Sequence, residues 1–265
     1  VFTFWQVVEQ LLLGVGVGIL SAALGLGGGI LMVPAFLLFV EGMDPHTAKG
    51  TSLFIIIFVS LFNAWRINRG LPAIPWRLAL TLAVGSIVGG YAGAFLTDRM
   101  SPQAVLWIFL VLLLVLAVYT FLLKPVQVRA EQVRQRLVLA LLIGLFAGLV
   151  GGATGTGGGI VLIPLALMAG IITNERVVGL SMLVMVFTSV AGSVAHLQAP
   201  QVYPAAWTVG HVYLALVPLV FLGALAGSEA GKVINRHLTI QRRRIAMGGM
   251  LLILCAQILY RIFHA

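Results

Sequence analysis

Apolar residues run along this chain in ten blocks, at roughly 11–24, 28–40, 48–64, 76–96, 104–123, 137–154, 158–172, 178–195, 208–230 and 245–262. Short polar or glycine-rich gaps separate them. Blocks near 20 residues match the length a helix needs to cross a bilayer. The polar/apolar alternation that a barrel strand requires is missing. The pattern therefore predicts an all-α integral membrane protein, whose backbone groups are satisfied inside each helix. The first two segments of each half read as short, because 13–15 residues reach only about 20–22 Å against a hydrocarbon core near 30 Å. With a glycine cluster between them, each pair reads as a re-entrant or discontinuous helix pair whose tip lies inside the membrane.

The blocks repeat. A shift of 130 superimposes residues 11–37 on 141–167 with twelve identities, among them Gly14 on Gly144, Gly25 on Gly155 and Pro34 on Pro164. Gly85, Gly89 and Gly93 likewise match Gly223, Gly227 and Gly231. The chain divides into a first membrane repeat at 1–123, a solvated linker at 124–136 and a second repeat at 137–265, each repeat with five segments. An odd number of passes per repeat makes the two halves inverted relative to one another, the usual plan of secondary transporters.

Composition excludes a soluble domain: 61% of residues are hydrophobic and 9% charged, with a mean hydropathy of +1.11, against about 25% charged in ordinary globular chains. The net charge of +9 does not signal nucleic acid, because the basic residues fill gaps between apolar runs instead of lining a solvated face. They serve better as a topology marker. If the first two segments of each half run down and back, thirteen of the sixteen basic residues fall on one side, leaving Lys49, Arg99 and Arg261 on the other. If each pair is one broken span, the split is eight against eight. Lys and Arg gather on the cytoplasmic side, so the linker is expected in the cytoplasm and both termini outside. Cys255 is alone, which excludes a disulfide framework or a thiol metal cluster. The chain opens on Val1, so a few upstream residues are expected. Residues 1–24 lack a basic head and a small-residue cleavage site, and no cleavable signal is expected.

Candidate chemistry sits at the two glycine clusters. Gly27, Gly28 and Gly29 in the first half, and Gly157, Gly158 and Gly159 in the second, open the short second segments. Backbone N–H groups at a helix start have no intrahelical partner and lie at the positive end of the helix dipole. Two such ends meeting near the midplane would hold an anion. Thr154 and Thr156 flank the second cluster, while Thr51, Ser52 and Ser181 open the third segments; these hydroxyls complete the expected substrate site. The glycines at spacings of four read as packing seams. Glu229 and Glu9 read as lying near helix ends, so no acidic residue is expected to carry protons across the midplane. His46 and Lys49 read as anchors at the outer mouth, and His196 as a satisfied interfacial histidine. No metal or cofactor is expected.

Through Gly25-Leu-Gly-Gly-Gly-Ile-Leu-Met-Val-Pro34, Ala48-Lys-Gly-Thr-Ser-Leu53 and their counterparts reaching Pro164 and Ser181, the chain resembles the sulfite exporter TauE/SafE family. The likeness covers almost the whole chain. It departs at Lys49, where a small or apolar residue is usual, and at Leu180, where a threonine would repeat Thr51. The resemblance implies a duplicated transporter of sulfite, sulfoacetate or another small sulfur-containing anion in the bacterial cytoplasmic membrane. The expected function is a secondary transporter, working as an exporter, with an anion channel as the alternative. The expected partners are a small anionic substrate and the lipid bilayer, without nucleic acid; a homo-oligomer is left open. An intramembrane serine protease built on Ser181 and His196 is excluded, since fifteen residues along one helix span about 22 Å. No other enzymatic activity is expected.

Overall fold

The computed structural model describes residues 4–24, 28–69, 74–122, 128, 133, 136–237 and 240–264. Gly25, Leu26, Gly27 and most of the 124–136 linker lie outside the described residues. The elements in order are α1 (Phe4–Leu24), α2 (Gly29–Phe39), α3 (Pro45–Asn68), α4 (Trp76–Asp98), α5 (Pro102–Leu122), α6 (Leu137–Thr154), α7 (Gly159–Met168), α8 (Asn174–Gln198), β1 (Thr208–Val209), β2 (Val212–Tyr213), α9 (Leu216–His237) and α10 (Ile240–His264). Among the described residues, α3, α4, α5, α6, α8 and α9 are long and apolar enough to cross a membrane. The protein is an all-α membrane protein.

Three boundaries differ from the sequence expectation. α1 has 21 residues, about 31 Å at 1.5 Å per residue, so it is a full-length helix. Only the second segment of each half is short, with 11 residues in α2 and 10 in α7. α7 stops at Met168 because Gly170 turns left-handed at φ 63°, and the Ile171 N–H then donates to Ala166 O at 3.2 Å, a glycine-terminated helix end. Residues 208–213, expected inside a helix, form an antiparallel hairpin pairing Thr208 with Tyr213 and Val209 with Val212. Its two-residue turn is Gly210-His211, with Gly210 at φ 57°.

Side-chain capping sets the start of α3. Asp44 accepts from the N–H groups of His46 (2.9 Å) and Thr47 (3.1 Å) and from Thr47 Oγ1 (2.6 Å), with Pro45 in the first helical position. The two halves interlock along glycine seams. A Cβ on Gly85, Gly89 or Gly93 of α4 would overlap the carbonyls of Leu141, Leu145 or Leu149 on α6. On the pseudo-equivalent pair, Gly223 and Gly227 of α9 meet the carbonyls of Leu11 and Val15 on α1. The first helix of each half thus packs on the fourth helix of the other.

Contacts sort the helix ends into two groups. At one end, Arg261 of α10 donates to Met43 O at 2.9 Å and Tyr203 Oη to Glu41 O at 3.1 Å. A cavity of about 540 Å³ there is shared by Gln6, Glu9 and Gln10 of α1, by Phe39, and by Tyr213 and Leu216. At the other end, Arg66 of α3 pairs with Glu229 of α9 through Arg66 Nη2 to Oε2 at 2.8 Å, and Lys232 Nζ donates to Glu229 Oε1 at 3.1 Å. There too, the Val128 N–H ahead of α6 donates at 2.7 Å to Asn174 Oδ1, the first residue of α8. The chain therefore leaves α7 at the end where it entered α6, which makes α6–α7 a hairpin that goes in and comes back.

Candidate functional site

The tip of the α6–α7 hairpin is built by three left-handed glycines. Gly155 (φ 76°) ends α6, Gly157 (φ 75°) continues the reversal and Gly158 (φ 80°) opens α7. Thr156 sits among them, 3% exposed. The N–H groups of Thr156 and Gly157 fold back onto Gly151 O at 3.1 and 3.4 Å, which leaves α7 to start with no side-chain cap. Its first N–H groups, at Gly159 and Ile160, therefore have no intrahelical partner.

The first-half tip abuts the second. Gly28, at φ 81°, opens α2 without a side-chain cap. A Cβ on Gly29 would overlap Thr156 O and stand 2.8 Å from Ile56 Cδ1. Two helix starts are thus brought together between α3 and α8. Gly27 lies outside the described residues.

The hydroxyls divide into those the fold uses and those it leaves. Ser52 Oγ donates to Gly155 O at 2.8 Å, tying α3 to the second tip. Thr51 turns away from the tip, its Oγ1 accepting the Tyr213 N–H at 2.9 Å. Thr154 Oγ1 donates to Val150 O at 2.7 Å and lies 3.0 Å from Thr156 Oγ1. Ser60 Oγ bonds Ile56 O at 2.6 Å. In α8 the counterparts are unsatisfied: Ser181 and Ser189 have no exposure, and neither Oγ has a hydrogen-bond partner. A Cβ on Gly159 would lie 3.0 Å from Ser181 Oγ, and one on Gly157 would lie 3.2 Å from Ser189 Oγ. Both free hydroxyls therefore face the start of α7, with the Met185 side chain beside them.

A second polar group, overlooked in the sequence, lies at the α3 start. Lys49 is fully buried and His46 is 5% exposed, so neither is the solvent-facing anchor expected of it; a snorkelling lysine keeps its head in water. Lys49 Nζ donates to Thr97 Oγ1 at 2.8 Å and stands 3.7 Å from Asp98 Oδ1. His196 is also fully buried, and neither ring nitrogen makes an aligned hydrogen bond. It faces Asp98 with His46 and His211 instead of resting satisfied at an interface. Asp98 carried no weight in the sequence, yet helix direction alone would have placed positions 46, 49, 98 and 196 at one end. His211 gave no such signal, because its segment reads as helix. Nearby, burial pushes the phenols of Tyr203 and Tyr213 up from their ordinary value, with the Glu41 and Asp44 charges adding to the effect on Tyr203.

The family described as sulfite exporter TauE/SafE matches residues 10–258. A probable membrane transporter protein of Methanocaldococcus jannaschii is 28% identical over 246 residues, covering 91% of each chain. A second one, from Bacillus subtilis, is 26% identical over 271 residues, covering 94% of this chain and 95% of the relative. A third, from Haemophilus influenzae, is 29% identical over 160 residues, covering 58% of this chain and 59% of its own. No solved structure matches the chain.

Proposed function

The chain belongs to the sulfite exporter TauE/SafE family, and from that premise we propose that this membrane transporter is a secondary carrier exporting a small sulfur-containing anion, such as sulfite or an organosulfonate. The anion binds at the start of α7. The observation that carries this reading is the pair of buried, unpartnered hydroxyls, Ser181 Oγ and Ser189 Oγ, facing Gly157 and Gly159. A buried hydroxyl without a partner costs about 1–3 kcal/mol, and an oxyanion would accept from both. The N–H groups of Gly159 and Ile160 supply two further donors. Each helix start carries roughly half a positive charge, so the abutting α2 and α7 starts repel one another until an anion lies between them. Ile56 and Met185 close around the tip, which favours an occluded carrier site over an open channel.

Orientation follows from charge. Arg66, Arg69, Arg77, Arg136, Arg176 and Lys232 lie at or near the ends of α3 and α9 and the starts of α4, α6 and α8. That end faces the cytoplasm by the positive-inside rule, with both termini outside a bacterial cytoplasmic membrane and the two halves inverted. An interior at −100 mV drives one negative charge outward with about 2.3 kcal/mol, roughly a forty- to fifty-fold gradient at equilibrium. Export therefore needs no coupled ion.

The test is flux of labelled sulfite in potassium-loaded proteoliposomes, with valinomycin setting the voltage and pH and sodium clamped equal. Saturable flux should follow the imposed voltage. It should also survive Glu9→Gln and Glu229→Gln, since Glu229 is already paired with Arg66 at a helix end. Flux that ignores voltage and tracks a proton gradient would overturn voltage-driven export, and a non-saturating current would make the protein a channel.

A further inference from the structure

Three elements deliver side chains to one carboxylate, whose oxygens are buried, at the end of a fourth. α3 supplies His46 and Lys49 one turn apart, α4 ends on Asp98, α8 contributes His196, and the turn of the β1–β2 hairpin contributes His211. The hairpin is held in place by its own backbone, the His211 N–H donating to His196 O at 2.9 Å. Asp98 Oδ1 lies 3.0 Å from His196 Nδ1, 3.3 Å from His211 Nδ1 and 3.6 Å from His46 Nδ1. None of these approaches is aligned as a hydrogen bond. All three Nδ1 atoms and both Asp98 oxygens are buried without a hydrogen-bond partner. Buried polar atoms are nearly always satisfied, and a group left bare is explained by a missing water or ion. Three bare imidazole nitrogens gathered around one bare carboxylate oxygen are better explained by an ion than by four separate defects.

The spacing has the size of a coordination sphere. Ligand atoms about 2.0–2.1 Å from a tetrahedral zinc stand about 3.3 Å apart, and Asp98 Oδ1 lies 3.3 Å from His211 Nδ1 and 3.6 Å from His46 Nδ1. The ligand atoms of His46, Asp98 and His211 all lie within 4.8 Å of one another. Two imidazoles and one carboxylate are a donor set that suits first-row transition-metal dications.

We propose that His46, Asp98 and His211 form a binding site for a divalent transition metal of the zinc and cobalt class. His196 and Lys49 approach the same carboxylate oxygen, at 3.0 and 3.7 Å, and border the site without belonging to its ligand set. The site shares no residue with the α7 tip. Its ion fastens the β1–β2 hairpin to the ends of α3 and α4. Lys49 opposes the ion, because its ammonium stands 3.7 Å from the same oxygen. Asp44 is close enough to act on the Lys49 charge, so a second carboxylate offsets part of the excess.

The experiment uses the full chain in detergent, stripped with EDTA and titrated with Co²⁺ alone while the visible absorption is read. Zn²⁺ stoichiometry is measured separately by equilibrium dialysis and elemental analysis. One tight equivalent per chain is expected, with intense cobalt bands that Zn²⁺ abolishes. His46→Gln and His211→Gln should each weaken binding by at least the roughly 10–100-fold that loss of an outer partner costs. Lys49→Met should tighten it, because a repelling charge is gone. Wild-type protein that binds no stoichiometric Co²⁺ would overturn the proposal whatever the variants do. Binding indifferent to both histidine changes, or abolished by Lys49→Met, would equally show that the cluster is an ion-paired network and not a metal site.

Discussion

Ser52 and Ser181 occupy matching positions in the two halves but do opposite things, and that contrast gives the proposed anion site its sharpest test. Ser52 Oγ donates to Gly155 O at 2.8 Å, while Ser181 Oγ has no partner at all. Ser52→Ala leaves a buried carbonyl short of its donor and should cost about 1–3 kcal/mol of stability. Ser181→Ala removes an unsatisfied hydroxyl, so the unliganded protein should be as stable as before, or more so. If that hydroxyl donates to a bound anion, its loss removes a hydrogen bond to a charged group, about 1.5–3 kcal/mol, or roughly 10- to 150-fold in affinity. The assay pairs thermal unfolding without ligand with the half-saturating concentration for labelled sulfite flux. Ser52→Ala should unfold earlier. Ser181→Ala should unfold at or above the wild-type temperature and need far more substrate. A Ser181→Ala variant that is destabilised yet keeps its affinity would refute the assignment. Valine at Gly158 is a poorer probe, because the backbone there is at φ 80° and a side chain would overlap Ala147 O, so folding and binding would fail together.

Cysteines replacing Val202 and Arg136, in a Cys255→Ser background, should react with impermeant reagents from opposite sides of the membrane; labelling from one side would end the inverted reading. Gly89→Val should lower the unfolding temperature and yield, since its Cβ would overlap Leu145 O and lie 2.7 Å from Leu149 N, an overpacking cost of about 1–3 kcal/mol. Measured on the protein that survives, affinity for the anion should be unchanged.

Most of the fold was legible because membrane helices announce themselves by length and apolarity. The repeat, the glycine seams and the short α2 and α7 were all visible in residue order. The 208–213 hairpin was not: Val209, Val212, Tyr213 and Leu214 read as a continuation of the apolar run in α9, and only the backbone turn at Gly210 breaks it. α1 was cut short because Gln6, Glu9 and Gln10 look like loop, whereas at the end of the molecule they face a polar cavity of about 540 Å³. At the site, glycine spacing located both tips, but Thr51 could not be told from Ser52, since one residue along a helix turns a side chain by about 100°. The Asp98 cluster escaped because its members lie at 46, 98, 196 and 211, the first three joined only by which end each helix reaches and the last carried by a hairpin turn inside a run that reads as helix.

The interlocking seams also set an order of events during synthesis. α6 follows α4 after a few dozen residues, so the Gly85–Gly93 face is covered almost as soon as it is made. α1 must wait for α9, about 190 residues later. At about 5–20 residues per second, Gly14 and Gly18 stay uncovered for roughly 10–40 s, with the earliest helix parked in lipid and its partner not yet translated. Insertion of this protein is therefore most vulnerable at its beginning and is completed only near its end. A defect anywhere in α9 would strand α1 as an orphan for membrane quality control to find.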